Sequence, residues 1–208
     1  MSNKLLFLIG ILGVSLFAVA SFLGGFQFEN YDPISQYISE TMAVGTPYGE
    51  TLRLYGYIPS GILLTLFGFN AFKKFPKSSL TKIGFWGFGI FYGIATIVVG
   101  VFPCDQGCNK ELIDPSISQI IHNLTGFLTY VFVPISILIV SIGLRNSKNF
   151  LKLSTIGFIC GLFSIVFVGL LISDPSTNYA GLFQRIIESI FIIWIIACAF
   201  NIKKSIGF

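Results

Sequence analysis

Residues able to do chemistry gather in one stretch of this 208-residue sequence. Phe102-Pro103-Cys104-Asp105-Gln106-Gly107-Cys108 precedes a short polar run and then His122-Asn123, so the stretch holds two of the four cysteines and the only histidine. Cys104 and Cys108 are separated by three residues, one of them Gly107, which can supply the tight turn that a short bridge needs. A disulfide is the favoured reading. The alternative is a metal site drawing on Cys104, Cys108, Asp105 and His122, since thiolate, carboxylate and imidazole are all zinc ligands. The choice depends on where the stretch lies, because thiols on an oxidising side of a membrane tend to pair.

A second set of polar residues sits inside apolar surroundings. Arg185 and Glu188 are three apart in an apolar run, hence on one helical face, and Arg53 follows Glu50 by three positions. Ionisable groups at membrane depth are costly and mark functional candidates. One reading is a polar pocket formed by Arg53, Asp105, His122, Asn123, Arg185 and Glu188. There the two arginines would hold an anionic head group or carboxylate, and His122 or Glu188 would move a proton. The competing reading is an ion-pair lid that pins helices together without any ligand. A Ser60–His122 dyad is also conceivable, although Ser60 beside Pro59 equally serves as a hydroxyl that satisfies a kinked helix. Cys160 and Cys198 fall in apolar runs and read as small core residues.

Several chemistries are disfavoured outright. One histidine is too few for the integral-membrane zinc hydrolases or the histidine-dependent lipid phosphatases. The sequence has no glycine-rich phosphate loop, no His-Glu-x-x-His and no Gly-x-Ser-x-Gly elbow. No cofactor and no resident metal are therefore expected, and nothing suggests a nucleic-acid partner.

The elements that must position these residues follow from composition. Only 11% of residues are charged and 54% are hydrophobic, and the mean hydropathy is +0.83. A soluble domain carries about a quarter charged residues, so this composition describes an integral membrane protein with a single domain over residues 1–208. Six apolar runs, near 5–25, 51–72, 83–102, 119–144, 151–172 and 181–202, are long enough to cross a hydrocarbon core as helices. Lys4 ahead of a short apolar run ending in Ala18-Val19-Ala20 also fits a secretory signal cleaved after Ala20, which would leave five helices. The apolar character continues through Phe22, Leu23 and Phe26, which favours a retained helix.

Ten of the thirteen basic residues fall at one end of these runs, and all nine acidic residues fall at or near the other. Short basic loops stay cytoplasmic. The expected arrangement is a multi-pass protein of the plasma or inner membrane with both termini cytoplasmic. The loops at 26–50, 103–118 and 173–180 are then external, which favours the disulfide. Oligomeric state is left open.

Asp32-Pro33, Asp114-Pro115 and Asp174-Pro175 repeat in the three external loops, each followed by serine within two residues. Aspartate before proline suits an N-cap and first helical residue. Residues 33–42 then read as a short amphipathic helix at the interface or over the bundle mouth. The unequal spacing of the pairs argues against a true repeat. Gly89-x-x-x-Gly93 and Gly157-x-x-x-Gly161 predict close helix contacts, and Pro59 predicts a kink.

Four motifs together resemble a known family. Phe-Pro-Cys-Asp-x-Gly-Cys at 102–108, His-Asn at 122–123, Ser-Gln-Tyr-Ile-Ser-Glu at 35–40 and Pro-Ser-Gly at 59–61 are similar to the domain-of-unknown-function 998 family of small membrane proteins. The resemblance spans about residues 5 to 200, and its most specific part is the cysteine motif. It implies a six-helix bundle with the first helix retained and assigns no reaction. Three functions are compatible with the sequence: binding or transport of a small anionic or lipid-like ligand from the outer face, an enzyme acting on a membrane lipid head group through His122 and Glu188, or an assembly subunit without a small-molecule site.

Overall fold

The computed structural model describes residues 1–204 and is all-helical over them. Six helical spans are long and apolar enough to cross a membrane: α1 (Asn3–Gln27), α2 (Gly49–Lys74), α3 (Ser79–Val101), α4 (Ile117–Leu144), α5 (Lys148–Ser173) and α6 (Ala180–Lys204). Each lies within a few residues of the run that predicts it. Serine hydroxyls cap three of them. Ser2, Ser78 and Ser116 accept from the backbone N–H groups of Leu5, Thr81 and Gln119, which satisfies donors that a helix start leaves orphaned.

The helices form a closed ring. Each span packs on its neighbours in sequence, and α6 returns to pack on α1. Asn3 donates to the Ile202 carbonyl at 3.0 Å, so the two ends of the described chain meet at the lysine-rich end. Aromatic side chains fill the ring centre. Trp194 of α6 sits 5.5 Å from Phe85 and 5.6 Å from Phe88 of α3, and Phe191 lies edge-on to Tyr92 at 5.4 Å. All five are essentially fully buried, and burying side chains of this size dominates core energetics.

Glycine allows the tightest contact. A Cβ on Gly68 of α2 would lie 2.6 Å from the Gly89 Cα of α3, and one on Gly93 would lie 2.5 Å from the Thr65 backbone nitrogen. The small face expected at Gly89 and Gly93 is therefore the α2–α3 contact.

Two of these helices widen locally into π turns, over Arg53–Tyr57 in α2 and Gly89–Ile94 in α3. The first sits immediately N-terminal to Pro59. Proline supplies no N–H and its ring crowds the preceding turn, so the distortion falls ahead of it. Ser60 does not pair with His122. Its hydroxyl is buried and donates to the Gly13 carbonyl of α1 at 2.7 Å.

The helix ends opposite the lysine-rich end are covered by three interlocked loops. Val44 N–H donates to the Cys104 carbonyl at 2.9 Å, Tyr37 hydroxyl to the Pro175 carbonyl at 2.6 Å, and Leu182 N–H to the Ile34 carbonyl at 2.8 Å. The short helix expected at 33–42 is a turn followed by a 3₁₀ helix, Ile38–Met42, and it lies over the bundle mouth with Ile38, Thr41 and Met42 buried.

None of the Asp-Pro pairs caps a helix. Asp32 accepts from Ile34 N–H and the Ser35 hydroxyl, and Asp174 accepts from Ser176 N–H, so both close turns two residues long. Asp114 has left-handed backbone (φ 45°), and Ser116 caps α4 instead. Aspartate side chains bond their own backbone two residues on, and here that local bond wins over helix initiation.

Candidate functional site

The first turns of α4 fasten the 102–108 loop. Ser118 hydroxyl donates to the Pro103 carbonyl at 2.6 Å. Gln119, fully buried, accepts from Asp105 N–H at 2.7 Å and donates to the Cys108 carbonyl at 3.1 Å and to Asn123 Oδ1 at 2.8 Å. His122 Nδ1 lies 2.9 Å from the Phe102 carbonyl, and because a carbonyl only accepts, Nδ1 carries the proton. One turn of helix thus reads the loop through three successive polar side chains on one face.

Cys104 and Cys108 form a disulfide with Cα atoms 4.8 Å apart, packed on Ala43 of the first loop. The pair is consequently no metal ligand, and no cluster of three His, Cys, Asp or Glu suited to a metal occurs among the described residues. Closing so short a loop restricts the unfolded chain by about 2 kcal/mol. Replacing both cysteines by serine is expected to lower amide protection across 102–116 by that amount, measured by hydrogen exchange. Unchanged protection would show that the bridge contributes nothing to the cap.

A cavity of about 330 Å³ lies beneath the cap, bordered by α1, α3, α4, α5 and α6. Its roof includes Tyr37, Ile38 and Met42 of the first loop and Lys110 of the second. Lys110 forms an ion pair with Glu40 at 2.9 Å, the sole salt bridge among the described residues, and sits over the Tyr37 ring. Burial, aided by the nearby Glu40 and Asp174 carboxylates, pushes the Tyr37 phenol up to about 12, so it stays a donor. The walls carry a polar stripe on α4, where His122, Gly126, Thr129 and Tyr130 recur at helical spacing. Phe127 and Ile172 line the cavity yet are 50% and 45% exposed, so the cavity reaches the lipid-facing flank beside α4 and α5.

Glu188 reaches this cavity from α6 and is 7% exposed. Its carboxylate accepts from the Tyr92 hydroxyl at 2.7 Å and the Tyr130 hydroxyl at 3.2 Å. Tyr130 oxygen in turn accepts from Gln184 Nε2 at 2.8 Å, and Gln184 Oε1 accepts from Ile38 N–H at 2.6 Å. A continuous relay therefore links the buried carboxylate to the cap. Tyr92 belongs to the π turn of α3, which carries it toward α6; such irregular turns recur at functional sites.

The expected six-residue pocket divides. His122, Asn123 and Glu188 line the cavity; Arg53, Asp105 and Arg185 do not. Arg53 donates to the Met42 carbonyl at 2.6 Å. Arg185 donates to the carbonyls of Pro33, Gln36 and Gly181 at 2.8, 2.8 and 3.0 Å and to the Tyr31 hydroxyl. It borders, with Glu188, a shallower depression of about 240 Å³ on the α1–α6 flank but makes no ion pair with it. Both arginines thus clamp backbone, and neither forms an ion pair with Glu50 or Glu188 as the ion-pair lid requires. A guanidinium is planar with five donors and suits clustered carbonyls, and loops lacking regular structure supply them. Asp105 is partly exposed and accepts from the Ser116 hydroxyl at 2.6 Å and N–H at 3.1 Å, bonds that hold its carboxyl below the usual range.

Tyr92, Tyr130 and Gln184 are site residues that the sequence did not single out. Tyrosine among 23 phenylalanines looks like core. The available signal was periodicity: Gln184 and Glu188 lie four apart, as do Gly126 and Tyr130.

Fold and cavity define the class as a multi-pass helical membrane protein with a largely apolar cavity between its helices that holds a few polar groups. Within that class, the profile of the family described as Protein of unknown function (DUF998) matches residues 11–201, and the chain belongs to this family. No curated protein and no solved structure matches the chain.

Proposed function

We propose that this protein binds a small lipid-like molecule in the cavity beneath its cap and carries or presents it at the external face. The observation that supports this is a largely apolar cavity of about 330 Å³ that reaches the lipid-facing flank and contains a few converging polar groups. Ligand sites have this size and composition. The cap is the external end on this reading, because the lysine-rich loops stay cytoplasmic and a disulfide belongs on an oxidising side. An anionic ligand is disfavoured by the engagement of both arginines with backbone.

Gly126 offers the test. It lines the cavity, and a Cβ there would meet nothing within 4 Å. Gly126→Phe fills the cavity without a backbone clash, so the fold should be kept. Binding of 1-octanol to the protein in lipid nanodiscs, measured against empty discs, is expected to fall about tenfold in this variant. Equal binding by both proteins would refute the cavity reading, as would no binding by the wild type, which would favour the assembly subunit.

The second reading, an enzyme acting on a lipid head group, draws support from His122 and Glu188 lining one cavity. It requires that His122→Ala alter cellular lipid composition as deletion does. An unchanged lipid profile in both would sink it.

A further inference from the structure

Glu188 is a buried acid with no ion pair among the described residues. Its two partners are phenols, which donate hydrogen bonds but carry no charge. A buried carboxylate is ordinarily paired with a cation, because phenol bonds alone do not replace the hydration that an ion loses. The cations of the cap are engaged elsewhere: Lys110 with Glu40, and Arg185 and Arg53 with backbone carbonyls. The cavity wall in front of Glu188 is rich in aromatic rings, including Phe17, Tyr37, Tyr92, Phe127 and Tyr130. Aromatic faces attract cations, and alkylammonium groups are recognised in this way. An acid without an internal counter-ion in an aromatic cavity is thus complementary to one class of head group.

We propose that the cavity is an organic-cation site in which Glu188 is the counter-ion of an amphiphilic ammonium, whose alkyl part occupies the apolar flank by Phe127 and Leu171. The proposal rests on the cavity reading above and names the head group that the cavity takes. A carboxyl buried without a cation holds a proton rather than a bare charge, so binding exchanges one cation for one proton. The Glu188 carboxyl O–H bond breaks, the proton leaves to water, and the carboxylate pairs with the ammonium, so charge in the site is conserved. The relay through Tyr130 and Gln184 to the Ile38 N–H couples this exchange to the 3₁₀ segment of the roof.

Binding must then tighten as pH rises, since proton and cation compete. Other titratable or charged groups around the site are few. Tyr57 comes from α2, Tyr92 from α3, His122 and Tyr130 from α4, and Arg185 from α6, with Tyr37, Glu40 and Lys110 in the cap. Phe17 of α1 and Leu171 and Ile172 of α5 carry no charge.

The experiment compares three eight-carbon probes, octyltrimethylammonium, 1-octanol and octanoate, on the full chain in nanodiscs, with wild type and Glu188→Gln. Glutamine keeps an oxygen acceptor for the phenols and removes the charge. Octyltrimethylammonium is expected to bind wild type about tenfold more tightly than octanol, to lose that advantage in Glu188→Gln, and to tighten with pH. The readout is the ratio of the two affinities within each protein, which a change in binding common to both probes leaves unmoved. If octanol binds and the cation binds no better, or the variant keeps the preference, the cation assignment is overturned and the cavity reading survives. If no probe binds wild type, both fall.

Discussion

Replacing Arg185 by alanine is expected to release the first cap loop, residues 31–42, from α6 at a cost of about 3 kcal/mol. The side chain donates to three backbone carbonyls and the Tyr31 hydroxyl, and each charge-assisted bond is worth about 1.5–3 kcal/mol before solvent and entropy reduce the sum. Hydrogen exchange over 31–42 should accelerate by about 100-fold while exchange in α3 and α4 is unchanged. Arg185→Lys should restore part of this, because an ammonium offers three donors to the carbonyls of Pro33, Gln36 and Gly181, which one guanidinium nitrogen serves, but lacks the second nitrogen that donates to the Tyr31 hydroxyl. Exchange identical to wild type in Arg185→Ala would show that the guanidinium does not hold the roof.

Gln119→Ala carries the second large effect. Gln119 is fully buried and satisfies the Asp105 N–H and the Cys108 carbonyl at once, so truncation strands both. Stranded buried groups cost about 1–3 kcal/mol each, which gives a loss of about 2–6 kcal/mol in the second cap loop. Gln119→Glu separates the two bonds: it keeps the acceptor for Asp105 N–H and loses the donor to Cys108, so about half the loss is expected. Thermal unfolding of the three proteins in one detergent checks this order. Equal midpoints for all three would remove Gln119 from the cap's support.

These two residues mark where sequence reading stops. Helix number was legible because the hydropathy of a long run is a local property. His122, Asn123 and Glu188 were legible as site candidates because polar groups in apolar runs stand out. Arg185 and Arg53 stood out for the same reason, yet their long side chains turn to loop carbonyls whose positions depend on the folded cap. Tyr92 and Tyr130 become ligands of Glu188 only when the ring brings α3 and α4 to face α6, a relation no single helix encodes. The Asp-Pro pairs failed as helix caps because a turn two residues long competes with helix initiation on equal local terms.

The reunion of the 102–108 loop with His122 has a functional consequence. His122 is held at Nδ1 by the loop it follows in sequence, so the disulfide, Gln119 and the imidazole form one rigid corner of the cavity. Glu188 occupies the facing helix with its phenol partners. The cavity is thus bordered by a fixed corner on α4 and by a relay that ends in the roof.

The measurement that bears most directly on this account is an experimental structure with 8-bromo-octanol, located by the anomalous signal of bromine. The account predicts a bromine site inside the cavity, near Phe127 and Leu171, that vanishes in Gly126→Phe. Bromine found only along the outer flank, or equally in both proteins, would contradict it.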